Sequence, residues 1–354
     1  MSHPTVWGGR LPSVTMIGWM RNRIGERIGA WVATAHLADG AMSSVYEARH
    51  FQTRALVAIK VLGHGAARDP VARERFVREY ETAKSLRDPH IVEVIDFGET
   101  ADGAPFIAME LLEGETLASL LRREGPICPA RTVRIICQLA LALRHAHSEG
   151  VIHRDLKPGN VFVCEMSGEE HIRVLDFGSV KLQLSIGPKL TAFGTTLGSP
   201  CYMSPEQALG RLDVDPRSDV FSLAAILYEV ATGEMAFAGG TVGEVLAKII
   251  ETEPTALSDL NPDYPWRLDD VVRRGLRKDK SVRFASAIEL AEAMLRALGL
   301  PAEVERWAHG PLDDIERLLP LSRFSAEPPG GPPGLRRAAA GERGLGRPTT
   351  IPPK

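Results

Sequence analysis

Five short runs rich in β-branched and aromatic residues, WVATAHL (31–37), SSVYEARH (43–50), ALVAIKVL (55–62), IVEVIDF (91–97) and PFIAME (105–110), all lie before residue 111. After LLEGE (111–115) the apolar spacing changes period, and the rest of the chain reads as helices. Strand runs this short are expected to pair as an antiparallel meander. A helix interrupts them: Asp69 is placed to cap it, Pro70 to open it, and Phe76, Tyr80 and Ala83 to form its apolar stripe. The longest helical pattern is PARTVRIICQLALALRHAHSEG (129–150), where Val133, Ile136, Ala140, Leu143 and His147 share one face and Gly150 ends the run. A strand-rich first third joined to a helix-rich remainder predicts two lobes with a cleft between them.

Composition narrows the function classes. The 354 residues carry 42 Lys plus Arg against 45 Asp plus Glu, a formal net charge of -3, so no overall field draws nucleic acid or an anionic membrane. Cys128, Cys137, Cys164 and Cys201 form no C-x-x-C pair and no zinc spacing, which predicts reduced thiols in a cytoplasmic protein. VFSLAAILYEVA (220–231) falls short of the ~20 apolar residues a membrane span needs, and the N-terminus lacks the pattern of a secretion signal. Residues 324–354 are dominated by Pro, Gly and Arg and bury too little to offset ordering, so a disordered tail is expected there. A weakly structured segment over 1–25 and a short amphipathic helix within 301–323, from DDIERLLPLS, docked on the helical lobe, complete the organisation.

The chemistry concentrates in VIHRDLKPGNVFV (151–163) and IRVLDFG (172–178). Isolated Asp and Asn residues at turns are commonly loop caps. The ordered pair of motifs is far more specific than either alone. HRDLKPGN together with DFG resembles the catalytic core of the eukaryotic-type serine/threonine protein kinases that bacteria also carry, over roughly residues 28–298. That resemblance implies an α+β, two-lobed protein kinase fold: a small antiparallel sheet lobe with one helix (26–109), a hinge (110–114) and a larger, mainly helical lobe (115–300), with ATP in the cleft.

By the same resemblance, Asp155 would accept the proton of the attacking hydroxyl, Lys157 would touch the transferring phosphoryl group, and Asn160 and Asp176 would hold Mg2+. Lys60, in VAIK, would hold the α- and β-phosphates, with Glu79 as its partner on the helix. Glu79 shares the stripe of Phe76 and Ala83, whereas Glu74 and Glu81 suit surface pairs such as one with Arg75. Ala58 and Val45 would cover the adenine, Met109 guard the back of the pocket, Glu110 and Leu112 meet the adenine edge through their backbones, Glu115 bond the ribose, and Phe162 form the floor. Residues 176–207 are similar to an activation segment in which Ser204-Pro205-Glu206 replaces the more usual A-P-E. Asp219, at the head of an all-round apolar helix, would brace the backbone around His153 and Arg154, and Glu206 would pair with Arg283. Arg154 asks for an anion, which phosphorylation of Thr191, Thr195 or Thr196 would supply, and Ser199 would bridge Asp155 and Lys157.

LADGAMSSVYEA (37–48) departs from the family's glycine-rich loop: Leu37 precedes Ala38, Gly40 and Ser43 at the three glycine positions, and Val45 is intact. The retained middle glycine is where backbone comes closest to phosphate, so a functional cover with altered flexibility is expected. The implied activity is transfer of the ATP γ-phosphoryl group to Ser or Thr hydroxyls of protein substrates, including the chain's own activation segment, with room for a transient homodimer in trans-autophosphorylation. A pseudokinase acting as a nucleotide-binding scaffold is the alternative, but such proteins commonly lose the lysine, the aspartate or a metal ligand, and all are present. A small-molecule kinase would lack the activation segment and the S-P-E anchor. His145, His147 and His171 read as structural or surface residues.

Overall fold

The computed structural model describes residues 22–166, 168–177 and 200–319. The small lobe is a six-stranded antiparallel sheet of β1 (Arg27–Ile28), β2 (Trp31–Asp39), β3 (Ser43–His50), β4 (Leu56–Leu62), β5 (Val94–Glu99) and β6 (Pro105–Glu110), ordered β1-β2-β3-β4-β6-β5. The meander holds through β4. Helix Pro70–Ser85 then intervenes, and the β5–β6 hairpin returns with β6 against β4, leaving β5 at the edge. Asp69 caps the helix by accepting from Val71 N at 2.9 Å, and Pro70 opens it.

Register decides what faces the cleft. Val45 pairs with Lys60, Lys60 with Ile107, and Ala58 with Met109, so these five side chains share one face of the sheet. The opposite face packs Tyr46, Ala48, Val57, Ile59, Val61, Phe106 and Ala108 against Ile28 and Trp31. The small lobe thus has separate cores on its two faces.

A three-stranded sheet of β7 (Gly114–Thr116), β8 (Val161–Met166) and β9 (Glu169–Val174) lies beside the hinge. Gly114 has φ +144° and sits so close to β8 that an added Cβ would lie 2.1 Å from Val163 O, so a larger residue would push the strands apart. Below it, helix Pro129–Ser148 and helix Arg217–Thr232 form the centre of the large lobe, with residues 218–231 of the latter all buried. Its end is set by Gly233 at φ +76°, whose N–H returns to Glu229 O at 2.7 Å.

The N-terminal edge of the small lobe lies before residue 26. Arg23 is buried and pairs with Glu26 (2.7 Å) and Asp102 (2.9 Å), and Gly25 N donates to Ala33 O, so ordered structure begins before residue 26. After residue 300 there are two helices, Val304–His309 and Leu312–Leu318, where the sequence pattern suggested one. Trp307 and Ile315 join the large-lobe core, Gln138 Nε2 donates to Ala308 O at 2.8 Å, and the Arg134 guanidinium donates to Gly310 O.

That extension completes a stack of three imidazoles. His90 is buried between His171 (4.4 Å between centroids) and His309 (5.1 Å). Burial, with His171 and His309 alongside, pushes the His90 ring down to about 3. An unfolded histidine titrates near ~6.5, so this group favours the native state above that value and loses the advantage as pH falls toward its folded value. In denaturant titrations, the stability difference between wild type and His90→Phe is expected to change by about 1.4 kcal/mol per pH unit between roughly pH 6 and pH 4. A difference that does not vary with pH would overturn the account.

Candidate active site

Lys60 is the pivot of the cleft. Its ammonium donates to Glu79 Oε1 at 2.6 Å and to Asp176 Oδ1 at 2.7 Å, joining β4, helix Pro70–Ser85 and the D-F-G turn. Glu79 reaches it because it lies on the helix face of Phe76 and Ala83, both buried, while Glu74 sits in solvent paired with Arg78 at 2.5 Å. Burial pushes the Glu79 carboxyl up to about 7 against the pull of Lys60. Burial also works to lower the Lys60 ammonium, but Asp176 and Glu79 more than offset it and the ammonium is held charged above its ordinary value. Asp176 ends below the carboxylate range, because Lys60 outweighs the cost of its burial.

The second half of the site hangs from one carboxylate. Asp219 is fully buried and accepts from His153 N at 2.8 Å and Arg154 N at 2.9 Å. His153 Nε2–H donates to Leu175 O at 3.0 Å, which leaves Nδ1 as the acceptor for Asp155 N at 3.3 Å. Next to this, Asp155 Oδ2 accepts from Lys157 Nζ at 2.7 Å, and Asn160 Nδ2 donates to Asp155 O at 2.9 Å. Three non-glycine residues among those described have positive φ, and two of them are here: Arg154 at 65° and Asp176 at 57°. Left-handed backbone costs a non-glycine residue about 1–3 kcal/mol and persists only where surrounding bonds dictate it.

On the adenine side, Ala58, Met109, Leu112 and Phe162 form one apolar cluster with Leu37 and Val45 packed on it. Glu110 N–H is already given to Glu93 O at 2.9 Å, so only its carbonyl could turn to a ligand. Glu115 accepts from Arg123 at 2.5 Å and 3.0 Å, and a ribose would have to share it with that guanidinium. In the loop between β2 and β3, Gly40 N donates to Ser43 O at 2.7 Å, and a Cβ on Gly40 would lie 3.2 Å from Ser43 Oγ and 3.3 Å from Ser43 O. The retained glycine therefore also keeps the hairpin closed over Ser43. Ala38 pairs with Val45 in the β2–β3 register.

Glu206 and Arg283 form a buried two-fold bond, both nitrogens at 2.8 Å. Thr191, Thr195, Thr196 and Ser199 lie outside the described residues. Sequence reasoning missed what His147 does: its Nε2 lies 2.8 Å from Asp219 Oδ2, so it takes part in the bracing. The signal was its place on the inward stripe of its helix. It also missed Arg123, on the helix that follows β7, as the partner of Glu115 eight residues before it.

Residues 31–296 match the protein kinase domain family. The chain belongs to this family. Among curated relatives, the serine/threonine-protein kinase PknH of Mycobacterium tuberculosis is 36% identical over 319 residues, covering 90% of this chain and 49% of that protein. The serine/threonine-protein kinase pkn3 of Myxococcus xanthus is 38% identical over 303 residues, covering 83% and 55%. The chain spans about half the length of the curated relatives it matches. A crystal structure of the M. tuberculosis PknI kinase domain superposes with a TM-score of 0.62 at 30% identity, covering 79% of this chain and 100% of that one. The two-lobed protein kinase fold and the serine/threonine type are those of its relatives, and the family uses ATP with a divalent metal.

Proposed function

We propose that this kinase transfers the ATP γ-phosphoryl group to Ser and Thr hydroxyls of proteins, its own activation segment included. The observation that carries the reading is the Lys60–Glu79 pair at 2.6 Å standing across the cleft from the Lys157–Asp155 pair at 2.7 Å. Every group whose loss would mark a non-catalytic relative is present and engaged. Lys60 anchors the nucleotide phosphates, and Glu79 keeps its ammonium on the cleft face of β4. Asp155 orients the hydroxyl and takes its proton, while Lys157 neutralises charge on the group in transit.

The metal fits Mg2+. Asp176 offers a carboxylate, and Asn160 has its amide nitrogen committed to Asp155 O, which leaves its carbonyl oxygen as a hard ligand. Among the described residues no group of three His, Cys, Asp or Glu could hold a metal ion unaided, in keeping with an ion that arrives with the phosphates. When bound, it would clamp the phosphate oxygens and spread their charge.

Arg154 carries no carboxylate partner among the described residues, which supports Thr191, Thr195 or Thr196 as the phosphorylation site that would meet it. Ser199 would then close over Asp155 and Lys157. Autophosphorylation between chains calls for a transient homodimer. Incubation of the purified chain with γ-labelled ATP and Mg2+ is expected to yield phosphoserine or phosphothreonine on the chain and on casein. Nucleotide binding with no labelled phosphate above background would turn the reading to a nucleotide-binding scaffold.

A further inference from the structure

Gln207 follows the S-P-E anchor directly and its side chain does two things. Within its own turn it makes a reciprocal cap with Ser204: its Oε1 accepts from Ser204 N and Ser204 Oγ, both at 3.1 Å. Across the molecule, its Nε2 donates to Arg154 O at 2.7 Å. The cap needs only the oxygen, and glutamate serves equally in that position. The nitrogen therefore has a separate task.

That task concerns the peptide plane that carries Asp155. The Arg154–Asp155 peptide has its oxygen held by Gln207 and its N–H turned to His153 Nδ1 at 3.3 Å. The preceding N–H, of Arg154, is held by Asp219 at 2.9 Å, and between these two holds Arg154 keeps its left-handed φ of 65°. Asp219 fixes one side of the strained residue. Without a donor at Arg154 O, the plane is free to rotate toward an unstrained conformation and carry the Asp155 carboxylate with it.

We propose that Gln207 is a positioning residue for phosphoryl transfer, which ties the anchor of the activation segment to the orientation of Asp155. The inference rests on the kinase reading above. In Gln207→Glu the oxygen that caps Ser204 is retained, while the donation to Arg154 O is replaced by repulsion between a carboxylate oxygen and that carbonyl. With full-length protein, casein as acceptor and ATP varied, kcat is expected to fall about 10- to 100-fold, the cost of a small misplacement of a reacting group. KM for ATP should stay within about twofold, and the melting temperature and the thermal shift on adding ADP should match wild type.

A kcat within twofold of wild type would overturn the inference, as would a loss explained by a raised KM or by a lowered melting temperature. Should Gln207→Glu fail to fold, Gln207→Met, which removes both cap and donor without adding charge, is measured the same way, and a wild-type kcat there overturns it equally. An inactive wild type would instead be the failure of the kinase reading itself, so the two failures are told apart.

Discussion

Asp155→Asn is expected to lower kcat by about 10²- to 10⁴-fold, the usual contribution of a positioned general base, while the chain still binds nucleotide. Asparagine fills the same space but accepts no proton at the working pH. The carboxylate stands 2.7 Å from Lys157 Nζ and its main-chain oxygen accepts from Asn160 Nδ2, so the substituted side chain is kept near its place by the same neighbours. Lys60 bonds Glu79 and Asp176 directly. Steady-state kinetics with casein, read beside the thermal shift on adding ATP, separates the two effects. More than a tenth of wild-type turnover, or loss of the thermal shift, would contradict the assigned role.

The site was legible in the sequence where its geometry is local. HRDLKPGN closes on itself within a few residues, and bonds such as Lys157 to Asp155 follow from that spacing. Glu79 could be found because helical periodicity places it with Phe76 and Ala83, while Lys60 was marked by the resemblance of VAIK to the family's motif, strand alternation adding only that it shares a face with Ala58. What stayed hidden depends on partners brought together from far along the chain. Gln207 meets Arg154 across 53 residues, and nothing in either local pattern signals that contact. The doubled helix after residue 300 was obscured for a related reason: Gly310 and Pro311 interrupt the apolar spacing, and Val304, Trp307 and Ile315 meet the core where helix Pro129–Ser148 offers Arg134 and Gln138 to the intervening backbone. The sheet order was also out of reach, since strand periodicity says which residues share a face but not which strand returns to the centre.

Asp219 shows why the strained positions hold. One buried carboxylate accepts from two successive backbone N–H groups and is met by His147, and that places the left-handed turn at Arg154 directly before Asp155. A second left-handed residue, Asp176, is tied to Lys60. The backbone at these two strained residues is thus held by charged side chains, and the substitutions with the largest consequences should be those that strand a buried charge.

Arg283→Met is the clearest case, with an expected loss of about 3–5 kcal/mol in unfolding free energy. Glu206 and Arg283 are both buried, and the guanidinium also donates to Arg277 O at 2.7 Å and to Arg217 O and Lys278 O at 3.1 Å. Methionine fills much of the space but leaves the carboxylate with Ser218 Oγ at 2.5 Å as its remaining side-chain donor among the described residues, and three carbonyls lose the guanidinium. In wild type, burial pushes the Glu206 carboxyl up, and the hydrogen bonds and charge of Arg283 more than reverse it, so it ends below its ordinary value. Such a group contributes stability above the unfolded carboxylate value, and that contribution is lost as pH falls through the folded one. In the variant the pull of Arg283 is gone and burial, opposed by the Ser218 hydrogen bond, works to raise the carboxyl, so the native state binds its proton more readily and recovers stability relative to wild type on acidification. The gap between the two proteins should therefore be widest near neutral pH and narrow as pH drops below the ordinary carboxylate range of about 4. Adding Glu206→Leu to Arg283→Met should restore part of the loss at neutral pH, since no charge is then stranded, but not all of it, because the three carbonyls still lack the guanidinium donor. Denaturant titrations of the three proteins at neutral and acid pH measure this, and a gap that widened on acidification would show that Glu206 is not the stranded charge.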